Sequence, residues 1–98
     1  MRLERHEIEA IRAAGREVFG PTVAIRVFGS RVRDDAKGGD LDLHLEVEPG
    51  QATLDLENAF LRRIEGPLDE LKTDVVLYER GTPPRLIDQV AREDGVLL

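Results

Sequence analysis

The chain has 98 residues, of which 41% are hydrophobic and 35% charged, and its formal net charge is -6. This composition excludes a disordered chain, and the absence of cysteine excludes disulfides, thiolate metal ligands and a cysteine nucleophile. The negative charge argues against direct nucleic-acid binding, because such binding requires many phosphate charges to be neutralised. With no long apolar run and no apolar signal-peptide core, the sequence predicts a cytoplasmic protein that does not contact a membrane.

The first part of the chain predicts a helix, a strand and a tight turn. Apolar residues spaced along one face predict a helix over residues 3–19. Alternating apolar residues predict a strand over residues 22–28, followed directly by Gly29 and by Ser30, the only serine in the chain. Residues 30–36 are expected to form a helical turn or two before a glycine pair ends it.

The second predicted strand, residues 40–48, carries its acidic residues on one face. Its apolar side chains are expected to face the core, and these are Leu41, Leu43, Leu45 and Val47. Its polar side chains are expected to face the opposite side, and these are Asp40, Asp42, His44 and Glu46. The alternation therefore places Asp40 and Asp42 together. His44 shares their face, and we interpret this lone histidine as a surface or packing residue and not as a ligand.

The rest of the chain predicts two more helices and one more strand. A helix is expected over residues 52–65, a strand over residues 73–79, and a last helix that begins at Thr82-Pro83. Residues 96–98 are expected to add a short strand or a packed tail. The order of elements over residues 1–98 predicts one α/β (α+β) domain, in which helices pack on a small mixed sheet of three to four strands.

The acidic residues fit the chemistry of nucleotidyl transfer. That reaction places negative charge on the phosphates, which magnesium offsets, and magnesium prefers carboxylate oxygens. Asp40 and Asp42 point the same way from one strand and are placed to hold one or two such ions. Asp74, on the next strand, is the candidate third acid, as a ligand, as the base that accepts a hydroxyl proton, or as both. A strand-end cap or an ion pair with Lys72 is the alternative for Asp74.

The turn after the first strand is the candidate phosphate site. Gly29 allows a tight backbone turn, so that its amide, the amide of Ser30 and the Ser30 hydroxyl can bind a triphosphate. Arg31 and Arg33 follow the turn and carry guanidinium groups suited to phosphate or to a partner. Simple solvation of these two arginines explains them equally well.

The segment 27–43 resembles the Gly-Ser-x(n)-Asp-x-Asp motif of the DNA polymerase beta nucleotidyltransferase superfamily. The similarity is closest to the minimal nucleotidyltransferases (MNT), which are stand-alone domains of about this length. The resemblance implies the nucleotidyltransferase fold, with Asp40 and Asp42 as metal ligands and Gly29 with Ser30 as the phosphate-binding pair.

The same resemblance implies Mg2+, with two ions expected, and ATP as the nucleotide donor. Asp74 is assigned as the third acid only by its place in Thr73-Asp74-Val75-Val76, and Gly39 stands where the family often has a serine. Many relatives resemble antitoxins paired with a HEPN-type toxin, and some adenylylate a tyrosine of that toxin. The sequence therefore predicts transfer of AMP to a hydroxyl of a protein partner.

Two other functions stay open at this stage. A catalytically inactive antitoxin would mask its partner sterically, although all three acids are present. The second alternative is nucleotidyl transfer to a small hydroxylated molecule. Related enzymes that modify small molecules need an additional substrate domain, for which 98 residues leave no room. Because so small a domain cannot enclose two substrates, a protein partner or a second copy of the chain is expected to complete the site.

Overall fold

A computed structural model of the chain describes residues 3–32, 40–69 and 71–98, and for Ser30 and Arg31 it describes the backbone alone. The elements in chain order are α1 (Arg5–Phe19), β1 (Ala24–Phe28), a 3-10 helix (Gly29–Val32), β2 (Leu41–Val47), α2 (Leu54–Glu65), β3 (Thr73–Glu79), α3 (Leu86–Asp94) and β4 (Val96–Leu97). This mixed sheet with helices packed on it confirms the predicted fold class. None of the helices in the described ranges is long and apolar enough to cross a bilayer.

The described strands form one sheet in the order β3, β2, β1, β4. β1 is antiparallel to both β2 and β4, whereas β2 and β3 are parallel. In this register Asp42 lies opposite Phe28 on one side and opposite Asp74 on the other. The central position of β2 therefore brings the predicted acidic strand into contact with both neighbours.

Helices α1 and α2 cover one face of the sheet and build the main core. The alternating apolar residues of β2 are fully buried there, as predicted, together with Ile11 of α1 and Phe60 of α2. Gly15 lets α1 approach the sheet, because a Cβ atom at that position would lie 2.5 Å from Cδ1 of Ile25. Burial of this continuous apolar layer supplies the main driving force for folding.

Helix α3 lies on the opposite face, and its predicted start was wrong. Thr82 and Pro83 precede the helix, which begins at Leu86. Pro84 explains the difference, because a proline disfavours the helical conformation of the residue before it. The first turn forms only where the Arg85 amide donates to Oδ2 of Asp88 at 2.7 Å.

Candidate active site

The three candidate acids lie at one end of the sheet, on the face that α1 and α2 leave open. Asp42 and Asp74 are opposite each other in the β2–β3 register, and Asp40 immediately precedes β2. The pKa of Asp42 is raised, first by burial and then by the negative charges of Asp74 and Asp40. The structure therefore brings together the three acids that the sequence selected, with Asp42 within electrostatic reach of the other two.

A lysine occupies part of this acidic region. Nζ of Lys72 lies 3.6 Å from Oδ2 of Asp40, and both side chains are partly exposed. The sequence left open an ion pair between Lys72 and Asp74, but the structure places the lysine against Asp40. An exposed pair of this kind contributes little stability, so the Asp40 carboxylate can exchange the ammonium group for another cation at small cost.

The donor set suits magnesium, although the described residues form no ready-made chelate. Among residues 3–32, 40–69 and 71–98, no three His, Cys, Asp or Glu side chains converge in a metal-binding arrangement. Magnesium is commonly held by only one or two protein carboxylates, with water and substrate phosphates completing its shell. The mutual repulsion at Asp42 is the feature that a divalent cation would relieve, so the residues fit the ion.

Gly29 meets the acids at the end of β1. Its φ of +77° lies in the region that favours glycine, and a Cβ atom there would run into the carboxylate of Asp42. A larger residue at position 29 would therefore both strain the turn and displace the Asp42 carboxylate. The backbone of Ser30 and Arg31 continues the 3-10 helix, whereas Arg33 and Gly39 lie outside the described residues.

Behind the acids, a buried histidine pairs with a buried aspartate from α3. His44 is 0% exposed, its ring lies between Phe28 and Tyr78, and its Nε2 is 2.8 Å from Oδ1 of Asp88. Its interpretation as a packing residue agrees with this position. Sequence reasoning missed Asp88, because the two residues lie 44 positions apart and no local pattern connects them.

Asp88 links α3 to the sheet through charged hydrogen bonds. Its carboxylate accepts from the Arg85 amide, from Nε of Arg85 at 2.9 Å and from the Arg85 guanidinium at 3.0 Å, in addition to the His44 contact. Burial alone would raise its pKa, but these donors outweigh burial and lower the pKa of Asp88 to about 2. The carboxylate is thus ionised and fully partnered, and it fixes α3 beside the acidic site.

Comparison with known protein families identifies the family of the chain. A family model described as a nucleotidyltransferase domain matches residues 8–94, which include the turn, the three acids and α3. No curated protein matched the chain. The family match is therefore the comparison that bears on the activity of the site.

Proposed function

Because this chain belongs to the nucleotidyltransferase domain family, we propose that it transfers AMP from ATP to a hydroxyl group of a protein partner. The observation that carries the proposal is the pairing of Asp42 with Asp74 in register, with Asp40 beside them and Gly29 against the Asp42 carboxylate. Three acids and a glycine turn at one end of a sheet supply both parts of such a site, a cation-binding group and a phosphate-binding group.

Each acid has a separate role in this proposal. Asp40 and Asp42 would hold magnesium, which when bound supplies positive charge to the phosphates. Asp74 is exposed and accepts the proton of the attacking hydroxyl. The hydroxyl oxygen forms a bond to the α-phosphorus, the bond from that phosphorus to the bridging oxygen breaks, and pyrophosphate leaves with the electron pair.

The turn at Gly29 orients the nucleotide. Gly29 is exposed and lies against the Asp42 carboxylate, so a triphosphate bound to its backbone amide would have its negative oxygens next to the cation-binding acids. Backbone amides bind anions without a side-chain entropy cost, and they leave the position of the α-phosphorus fixed relative to Asp74.

The openness of the site favours a macromolecular acceptor. Gly29 and Asp74 are both exposed, so the described residues leave the acceptor side of the acids open to solvent. A partner surface that closes this side would exclude water and so limit hydrolysis. The resemblance of segment 27–43 to the minimal nucleotidyltransferases supports a HEPN-type toxin as this partner and an antitoxin role for the chain.

Transfer of label from ATP tests the proposal. The chain is incubated with labelled ATP, magnesium and the protein encoded beside it, and label on that protein is followed over time. Asp74→Asn should lower kcat by about 10²-fold or more while ATP affinity changes little, because a base acts chiefly in the transition state. Asp94→Asn, an exposed aspartate at the end of α3, is the matched control.

Two outcomes would count against these assignments. Equal losses of ATP affinity and transfer rate in Asp74→Asn would make Asp74 a ligand instead of a base. Absence of label with wild-type protein, while the partner is still inhibited stoichiometrically, would favour steric masking and would refute the transferase.

A further inference from the structure

Strand β3 forms an edge of the sheet that is long enough to accept another strand. It spans the seven residues Thr73–Glu79, whereas β4, at the other edge of the described sheet, spans only Val96–Leu97. β3 contains no proline, the residue that most directly prevents pairing. Of the two edges, only β3 therefore presents an extended template of useful length.

The hydrogen-bond pattern identifies which backbone groups of β3 face outward. The Arg80 amide donates to the Val47 carbonyl, and the Leu41 amide donates to the Lys72 carbonyl. In a parallel ladder with this register, the even-numbered residues of β3 bond to β2, so the odd-numbered residues direct their N–H and C=O groups away from the sheet.

Much of this outward backbone has no partner in the described part of the chain. The Leu77 carbonyl accepts from the Arg85 guanidinium at 2.8 Å, and the Glu79 carbonyl accepts from Thr82. Within residues 3–32, 40–69 and 71–98, no hydrogen bond reaches the amides of Val75 and Leu77 or the carbonyl of Val75. These groups are available to an extended peptide.

A partly apolar groove runs along this edge, and we call it the β3 groove. It has a volume of about 450 Å³, and its lining includes Leu54 and Glu57 of α2, Val75 and Leu77 of β3, and Arg85. Leu54 is 69% exposed although it is a large apolar residue, so it offers an unfilled contact to an incoming side chain.

Strand β3 connects the β3 groove to the candidate active site, because Asp74 lies on the same strand as Val75 and Leu77, with its side chain on the opposite face of the sheet. Side chains of an added strand would alternate between the two faces of the sheet, and those on the Asp74 face would lie roughly 4.8 Å along the sheet from β3. On this geometry, and resting on the proposed transferase function, we propose that an extended segment of the acceptor protein pairs with β3 and presents its hydroxyl to Asp74.

The chemistry of the groove specifies this segment further. Its backbone completes the ladder, one side chain fills the space against Leu54, and a tyrosine, serine or threonine occupies the position beside Asp74. Glu57 lines the groove, and the charge of Arg85, which also lines it, is paired with Asp88. Asp74 and Glu79 lie on β3 itself, so flanking lysine or arginine residues of the segment complement the charge of this edge. The hydroxyl proton passes to Asp74 while the oxygen bonds to the α-phosphorus of ATP and pyrophosphate leaves.

Two exposed leucines provide a matched test. Leu54 and Leu86 are each the first residue of a helix and are 69% and 76% exposed, but only Leu54 lines the β3 groove. Leu54→Gln should raise the KM for the acceptor protein about fivefold, whereas Leu86→Gln should leave it unchanged. Equal effects of the two substitutions would overturn the proposal.

A second pair of variants tests the backbone pairing itself. Leu77→Pro removes the outward amide, whereas Leu77→Ala shortens the same side chain and retains that amide. The KM for the acceptor protein should be about fivefold higher in Leu77→Pro than in Leu77→Ala, with equal ATP affinities by calorimetry. Circular dichroism tests whether both variants are folded. If Leu77→Pro is unfolded, the comparison of Leu54→Gln with Leu86→Gln alone decides the result.

The remaining outcomes separate the two proposals. Normal labelling of the acceptor by wild-type protein and by Leu54→Gln would refute pairing at β3 and leave the transferase intact. Failure of the wild-type protein to label the acceptor would refute the proposed transferase activity. It would also refute the pairing of the acceptor with β3, which rests on that activity. Sedimentation of the chain alone should give a monomer, and a dimer that Leu77→Pro dissociates would assign the edge to a second copy and overturn the proposal.

Discussion

Removal of one buried charge, by Asp88→Asn, tests how α3 is held beside the candidate site. Asp88 is 0% exposed, and its pKa falls from 3.8 to about 2, which corresponds to about 2 kcal/mol of stability. Both carboxylate oxygens of Asp88 accept hydrogen bonds, so the amide NH2 group of an asparagine would face a donor nitrogen of His44 or Arg85. We therefore expect a loss of about 3 kcal/mol in the free energy of unfolding.

The same carboxylate makes the stability of the wild-type protein depend on pH. Because its pKa is lower in the folded than in the unfolded chain, ionised Asp88 stabilises the protein fully above about pH 4. That contribution disappears as the pH falls from about 4 to 2. The difference in unfolding free energy between wild type and Asp88→Asn should therefore shrink across this interval.

Urea unfolding followed by circular dichroism measures both effects. A loss of about 3 kcal/mol also lowers the Tm by roughly 12 to 24 °C for a domain of this size. Asp94→Asn serves as the control, since Asp94 is exposed at the end of α3, where loss of a negative charge is neutral or slightly favourable. A loss below about 1 kcal/mol in Asp88→Asn, or a pH-independent difference, would refute this account of α3.

Three further predictions concern the site itself. Gly29→Ala should abolish transfer, because its Cβ atom would run into the Asp42 carboxylate. In Gly81→Ala the φ is +92° but no heavy atom of the described residues lies within 4 Å of the Cβ position, so this control should lose only about 1 to 2 kcal/mol of stability and keep its transfer rate. Comparable transfer rates in the two variants would contradict this role of Gly29. Asp42→Asn should unfold at a higher urea concentration than wild type at pH 7, because the raised pKa of Asp42 means that its ionised form destabilises the fold. ATP affinity measured by calorimetry should rise when the partner protein is present, and equal affinities would contradict a site completed by the partner.

Local patterns in the sequence were sufficient to predict the parts of the fold that depend on near neighbours. The strict alternation in β2 placed Leu43 in the core and Asp42 on the opposite face, because side chains of a strand alternate between faces. The position of Gly29 directly after the apolar run indicated a turn at the end of β1, and the structure places that glycine against Asp42.

Interactions between distant parts of the chain were not predictable in this way. The start of α3 was placed too early, because Pro84 and the Arg85–Asp88 contacts outweigh the helix-start pattern at Thr82. The pairing of His44 with Asp88 depends on how α3 crosses the sheet, which no local periodicity encodes. The outward backbone of β3 likewise became evident only from the strand order and register.

The mass of the partner protein after incubation with ATP and magnesium tests the central claim most directly. Mass spectrometry of the intact partner should detect an added adenylyl group with the wild-type chain, accompanied by release of pyrophosphate. The double variant Asp40→Asn, Asp42→Asn should remain folded, because these acids are only partly buried, and should add none. An unmodified partner with wild-type protein, or equal modification by the double variant, would contradict nucleotidyl transfer at these acids.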